Sequence, residues 1–379
     1  MPKRKRLIAL FIATAAMFAC VSCGNGYVTE TRTVFSSGIV FSVSLYGGDE
    51  KAAISDMLAV ADELDASVNP NRTDSLLSAF NASAVGETIE VDRHAYYLAV
   101  KSREIYLKTD GAFDPSLSAV SRLWKVDADG IGKYAYGGAE KEALPDITEV
   151  NALAGKSGMD GFVAEERDGK YYVTKTKDGI TLDFGGVAKG YLADECRQIC
   201  LNRGVTSALI KISGNIYLVG DYRDGKSDKP WGVGVINPRG GDGKSAYVCG
   251  FYESGDVSVV TSGDYERCYD YNDGGETLKV CHIVDGTTAM PIGIAYDEAA
   301  GKYVQTSHVV SATIVGESSM LCDAYATAAC VSGIEKAAEY LKAEGYRALM
   351  FTSDGKFMKV GEFDFSSSET LYKTEYASL

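Results

Sequence analysis

Apolar and polar positions alternate along this chain with two periods, and the periods predict its elements. Over 52–64, Ile54, Leu58, Ala61 and Leu64 recur at helical spacing and predict an amphipathic helix with those residues inward. The same period predicts helices from about 94 to 109, over 320–331 and over 334–344. A further helix is predicted from Val187 onward, with Val187, Tyr191, Leu192, Cys196 and Ile199 on one stripe. Strand-like runs occupy 34–45, 162–166, 170–176, 180–184, 207–219, 231–237, 247–252, 257–262, 347–352 and 357–360. Asp168-Gly169 marks a hairpin turn between two of them, and Ser353-Asp-Gly355 separates the last pair. The stretch 67–75 reads as a turn ending in a helix cap, Asp74 or Ser75, with a short helix over 76–81. Residues 125–138 are rich in Gly and Tyr and read as an irregular loop, followed by a helix-turn region near 147–154. Residues 272–276 read as a hairpin tip, and 296–307 as an insertion or extended loop. Helices are mixed with mostly antiparallel strands, which predicts the α+β class: antiparallel sheets flanked by helices, in two intimate subdomains.

The first residues change the picture from a soluble chain to an exported one. Pro2-Lys3-Arg4-Lys5-Arg6 is basic, and the apolar run over 7–19 has signal length and is too short to span a bilayer. The stretch Cys20-Val-Ser-Cys-Gly-Asn25 that follows resembles a bacterial lipobox. Cys23 is the expected lipidated residue and Cys20 the alternative, because a Cys stands where the usual pattern has Leu or Val. No Ala-x-Ala site follows to support an ordinary cleaved signal. The expected organisation is a lipoprotein signal over 1–22, a tether over 23–33, one functional domain over 34–365 and a tail over 366–379. The expected location is the periplasmic or other extracytoplasmic face of a bacterial membrane, held by the lipid alone.

Charge and cysteine usage narrow the function classes. Lys and Arg number 38 against 52 Asp and Glu, giving a formal net charge of −14, and no long basic run offsets it. That argues against nucleic acid as a partner. The cysteines beyond the signal are scattered, with no Cys-x-x-Cys among them, which argues against zinc. Free thiols in an exported chain point weakly to a low-oxygen habitat.

Three stretches could carry chemistry. In Thr181-Leu-Asp-Phe-Gly-Gly-Val-Ala-Lys-Gly-Tyr-Leu-Ala-Asp194 a short apolar run meets two glycines and then a helix start. Such a junction offers unpaired N–H groups to a phosphate, or its glycines serve packing only. It matches neither a Walker A loop nor the Gly-x-Gly-x-x-Gly fingerprint. Asp323 and Thr327 lie four apart, so on a helix they share a face. With carbonyls and water they would suit an octahedral Mg²⁺; the alternative is an Asp near a helix start and a Thr bonding back to the previous turn. His282 follows a strand and precedes a turn with Asp285, the place for an acid–base group, although a lone His is more often structural.

Phe113-Asp-Pro-Ser116, Asp183-Phe-Gly-Gly-Val-Ala-Lys-Gly-Tyr-Leu-Ala-Asp194, Ser213-Gly-Asn-Ile-Tyr217, Pro230-Trp-Gly-Val-Gly234, Thr261-Ser-Gly-Asp-Tyr-Glu-Arg267, His282-Ile-Val-Asp285 and Asp323-Ala-Tyr-Ala-Thr327 occur in that order. In this the chain resembles the ApbE family, the FAD:protein FMN transferases, over nearly its whole length after the signal. The resemblance implies binding of FAD and Mg²⁺, cleavage of the pyrophosphate and transfer of FMN through a phosphoester to a threonine of a partner protein, with release of AMP. A membrane redox subunit is the expected acceptor. It also implies that Asp323, Thr327 and the Ala188 carbonyl hold Mg²⁺. Gly185, Lys189 and Tyr191 would line the flavin nucleotide's path. Asp114, Trp124, Leu77, Asn81, Asp264 and Asp285 would border the FAD site. His282 would be the general base at the acceptor threonine, with Asp323 as the other catalytic residue.

The chain departs from the family pattern in three places. Asp285-Gly-Thr-Thr-Ala289 replaces the usual Asp-Pro-x-Thr-Gly, the link over 294–307 is longer, and Asn71-Arg-Thr-Asp-Ser75 stands where Tyr-Arg-x-Asp-Ser is common. Losing that aromatic at Asn71 removes a stacking surface for flavin, so FAD hydrolysis to FMN and AMP is expected beside transfer. The competing function is a flavin-binding storage lipoprotein without turnover, which would need no metal on the pyrophosphate.

Overall fold

The computed structural model describes residues 26–35, 38–136, 143–223, 227–240, 247–272 and 275–366, and the backbone of 377–378. The signal, Cys20, Cys23 and most of the tail therefore lie outside the described residues. An antiparallel sheet runs in strict chain order: β1 (Val28–Val34), β2 (Ile39–Tyr46), β3 (Ser207–Ile212), β4 (Asn215–Val219), β5 (Val257–Gly263), β6 (Val309–Gly316), β7 (Arg347–Thr352) and β8 (Phe357–Val360). Ala377–Ser378 adds a parallel edge to β8.

Both faces of this sheet are covered, which explains why β6 is buried at nearly every position instead of alternating. Helices α1 (Glu50–Val68), α2 (Leu76–Ala82), α3 (Arg93–Lys108), α5 (Ala188–Asn202), α6 (Ser319–Ser332) and α7 (Ile334–Ala343) lie where the sequence pattern predicts helices, and α4 (Ser118–Trp124) is a further one that it does not predict. Of these, α1, α5, α6 and α7 build the large core on one face, with Phe41, Ile210, Ala312 and Met350 from the strands. On the other face Val259, Val315 and Phe351 meet Trp231, Val233 and Phe251 of a small sheet formed by Trp231–Ile236, Tyr247–Glu253 and Asp364–Phe365. A third apolar cluster gathers Trp124, Ile131, Tyr269, Val280 and Ile294.

The differences from the sequence expectations are mostly turns hidden inside apolar runs. The stretch over 34–45 is not one strand: Phe35 takes a positive φ and β1 folds back on β2. The run 207–219 likewise breaks at Ser213, also at positive φ, into the hairpin β3–β4. The segment 180–184 joins no sheet; Leu182 is held by the Asn81 amide and Asp183 by the Pro115 carbonyl. Residues 294–307 are a β-hairpin, Ile294–Asp297 against Lys302–Gln305. Part of the expected loop 125–138 is helical, with Asp127 capping Ala128–Ile131. In α1 the buried stripe is Ala53, Met57, Ala61 and Leu64, so Ile54 and Leu58 stand at its margin.

Candidate active site

The site is built where α5 crosses α6. A Cβ on Gly190 would lie 2.3 Å from the Ser319 carbonyl oxygen, so only glycine admits this approach. The crossing brings Asp323, 2% exposed, onto the first turn of α5. Val187 at the N-cap offers no side-chain acceptor, and Asp323 supplies one from the neighbouring helix: the Gly190 N–H donates to Oδ2 at 3.0 Å. Lys189 bridges the same oxygen, 3.2 Å away, to the Gly185 carbonyl, 2.9 Å away. Oδ1 of Asp323 accepts no hydrogen bond from the described residues. Asp194 returns the arrangement, accepting from the N–H groups of Ser319 and Met320 at 2.7 and 3.0 Å. Burial outweighs those donors and pushes the Asp194 carboxyl up to about 6.

Gly185 and Gly186 carry no left-handed φ. Their use is close approach: a Cβ on Gly186 would sit 3.1 Å from the Phe113 ring and 3.9 Å from the Thr327 hydroxyl. Of the N–H groups at this helix start, those of Gly185, Val187, Ala188, Gly190 and Tyr191 already have acceptors. Those of Gly186 and Lys189 have none among the described residues and remain for an anionic ligand.

His282 faces the same corner. Its main-chain N–H donates to the Arg267 carbonyl at 3.0 Å, and its Nδ1 lies 3.2 Å from that same oxygen. A carbonyl can only accept, so Nδ1 carries the proton and Nε2 keeps a lone pair. Packing around the ring, with the Arg267 and Lys189 cations nearby, presses the imidazole down to about 3. An edge of the ring stays open to solvent, and the base is neutral. Glu266, exposed at the rim, has Lys189, Arg267 and Asp323 as charged neighbours.

Thr327 donates back to the Asp323 carbonyl at 3.3 Å and lies 3.4 Å from the Ser262 hydroxyl. The Asp323 carboxylate and the Thr327 hydroxyl, one turn apart on α6, are hard oxygen donors that fit Mg²⁺ and not a thiolate-seeking metal, and Ala188 is the first residue of the α5 helix that Asp323 caps. No cluster of three or more His, Cys, Asp or Glu side chains that could hold an ion occurs among the described residues. A single carboxylate with Oδ1 open suits an ion that keeps waters and takes phosphate oxygens from a substrate.

Other expected residues are placed differently. Trp124 is fully buried and spends its indole N–H on the Ala289 carbonyl at 2.7 Å, so it braces the 285–290 turn. Leu77 is 3% exposed within the main core and is likewise a packing residue. Asn81 uses its amide on both backbone groups of Leu182, fixing the segment that leads into Gly185. Asp264 is buried, and desolvation alone would raise its carboxyl; hydrogen bonds from Arg239 on both carboxylate oxygens and His308 on one outweigh this and hold it below the usual carboxylate range. Tyr191 turns to the far side of α5, where its hydroxyl meets His94 Nδ1 at 2.9 Å. It lines there a groove of about 790 Å³ with Arg93, Tyr97 and Tyr217, which includes neither Lys189, Asp323 nor His282. Asp114 caps Ser116 and stands beside Gly286, so it and Asp285 share one wall; burial raises its carboxyl. Asp285 itself accepts from the Thr287 N–H. Asn71 is exposed on its turn, its N–H on Asn69 Oδ1. Sequence reasoning missed Arg267, Glu266 and Ser262, although the Thr261–Arg267 motif contains all three.

Comparison with known proteins gives the family and the fold. The model of the ApbE family matches residues 37–350. A FAD:protein FMN transferase of Treponema pallidum is 31% identical, over 86% of this chain and 87% of that protein. One of Salmonella typhimurium is 24% identical over 92% and 93%. Among solved structures, the flavin transferase ApbE from Vibrio cholerae has the same fold, with a TM-score of 0.69, 24% identity and coverage of 90% of this chain and 98% of that one.

Proposed function

The chain belongs to the ApbE family, and from that premise we infer that it is a transferase that takes FMN from FAD and attaches it to a protein. The observation that carries this reading is the meeting of Lys189 and Asp323 at the start of α5, beside a neutral His282 with Nε2 free. Transfer of a flavin phosphate needs charge neutralisation, in-line positioning and a proton acceptor more than a covalent group on the enzyme.

The acceptor group in this reading is a threonine hydroxyl of a membrane redox subunit, and AMP leaves. Asp323, Thr327 and the Ala188 carbonyl are the residues that would hold Mg²⁺, which when bound would neutralise pyrophosphate charge and polarise the phosphoryl group. The open Oδ1 of Asp323 supports this. The Lys189 ammonium and the N–H groups of Gly186 and Lys189 would bind phosphate oxygens. His282 Nε2 would take the hydroxyl proton, held in aim by Nδ1 on Arg267. Burial depresses the imidazole, but the anionic pyrophosphate arriving beside it would raise its basicity when it is needed. A storage protein has no use for a base oriented in this way. Asn71 lacks an aromatic surface, so water would compete with the acceptor and release free FMN. Cys23 would carry the lipid that tethers the domain to the extracytoplasmic face of the membrane.

The test is to incubate the protein with FAD and Mg²⁺, with and without a threonine-bearing acceptor, and identify the products. Covalent flavin on the acceptor together with AMP is expected. FAD left intact in the presence of acceptor would favour storage.

A further inference from the structure

Cys268 and Cys281 stand directly opposite one another in the antiparallel hairpin of Cys268–Asn272 and Thr277–Cys281. The next rung outward is Arg267 and His282, joined by the His282 N–H on the Arg267 carbonyl. Rungs of an antiparallel ladder alternate between hydrogen-bonded and non-bonded pairs. The cysteine rung is therefore of the non-bonded kind, with Cα atoms about 4.5 Å apart and both side chains on one face. That lies within the roughly 4.4–6.8 Å range of disulfides.

The two thiols differ in a way that suits a sequence of attack. Among the described cysteines Cys268 alone is partly exposed; Cys281 is buried. Burial raises both thiols, but the Lys279 ammonium lies 3.6 Å from Cys268 Sγ and works against this. Cys281 Sγ has only the weak carbonyl contacts of Ile283 and Ile292. Nothing strong holds either sulfur away from the other.

We propose that Cys268 and Cys281 are a reversible dithiol that closes to a cross-strand disulfide by exchange with a disulfide donor, clamping the rung that aims His282. The Cys268 thiolate attacks the donor disulfide, expels one donor thiol and forms a mixed disulfide. Cys281 then loses its proton and displaces the second donor thiol from Cys268. Two protein thiols are oxidised to one disulfide, and one donor disulfide is reduced to two thiols. The new bond sits one residue from both partners of the Arg267–His282 contact, so the strand ends can no longer part there.

The experiment treats the protein with glutathione disulfide, alkylates the remaining thiols, digests and maps the products by mass spectrometry. Hydrogen exchange of the His282 amide is followed in parallel. The expected result is one linked peptide pair joining Cys268 to Cys281, reversed by dithiothreitol, with slower exchange at His282 in the oxidised form. In Cys268→Ser the link and the slowing should both be absent. Failure of both thiols to react, or a stable glutathione adduct on Cys268 with Cys281 still free, would overturn the pairing. A formed link with unchanged exchange at His282 would overturn the clamp.

Discussion

Asp194 and Asp323 lie on crossing helices, and each caps the other's helix. Asp323 of α6 accepts from Gly190 in the first turn of α5, and Asp194 of α5 accepts from Ser319 and Met320 in the first turn of α6. Orphan N–H groups at both helix starts are thus satisfied by acids brought in by the crossing. The same packing that joins the helices presents Asp323 and Lys189 to the site.

Asp194 makes stability depend on pH in a defined direction. Its folded value, about 6, lies above the ordinary value of about 3.9. The folded chain therefore holds the proton more tightly. The contribution is full below about pH 4 and is lost as pH rises through about 6. The melting temperature of the wild type, minus that of Asp194→Asn, should be larger at pH 4 than at pH 7. Equal differences at the two pH values would mean that Asp194 is not held in this way.

His282 should keep working in mild acid. Its imidazole is depressed to about 3, so it stays unprotonated through the range where an ordinary histidine titrates. kcat/KM for flavin transfer should show no His282-dependent loss between pH 7.5 and 5.5. His282→Ala should reduce transfer about 10²–10⁴-fold with little change in FAD affinity. A loss centred near 6.5 in the wild type and missing from the variant would contradict the depressed imidazole.

How much of this was legible in the sequence depends on what signal each feature leaves. The helices α3, α6 and α7 were legible because their buried stripes keep helical spacing, and the 162–176 hairpin because Asp168-Gly169 marks its turn. The breaks at Phe35 and Ser213 did leave a turn signal, Ser36-Ser37-Gly38 and Ser213-Gly214-Asn215, but each is short and sits inside an apolar run that reads as one strand. The ordered motifs name Asp323, Lys189 and His282, and the fold brings Lys189 and Asp323 into contact with His282 nearby. Arg267 acts on His282 through its carbonyl, which any residue possesses. Trp124 and Leu77 are buried in apolar clusters, a placement the sequence left open because proximity in a motif does not say whether a side chain faces a ligand or the core.

Trp124→Phe separates bracing from binding. The ring volume largely remains, but the Ala289 carbonyl loses its donor. An unsatisfied buried acceptor costs about 1–3 kcal/mol. Denaturant unfolding should show that loss, while FAD affinity should change little. A large loss of FAD affinity at unchanged stability would return Trp124 to the ligand's wall.

Asn71→Tyr should restore an aromatic surface on the exposed 69–75 turn. A contact of this kind is worth roughly 0.5–1.5 kcal/mol, so FAD affinity should rise by up to about tenfold and acceptor-free hydrolysis should slow. Titration of FAD and assay of AMP release check both effects. Unchanged values would place Asn71 outside the flavin pocket.

The most direct measurement compares covalent FMN formed on a threonine-bearing acceptor by the wild type and by Asp323→Ala, each with FAD over a range of Mg²⁺ and after chelation by EDTA. Wild-type transfer should require the ion and stop in EDTA. The variant should be slower by roughly a thousandfold or more at every Mg²⁺ concentration, with the fold retained by circular dichroism. Wild-type rates from Asp323→Ala in metal-free buffer would contradict the account.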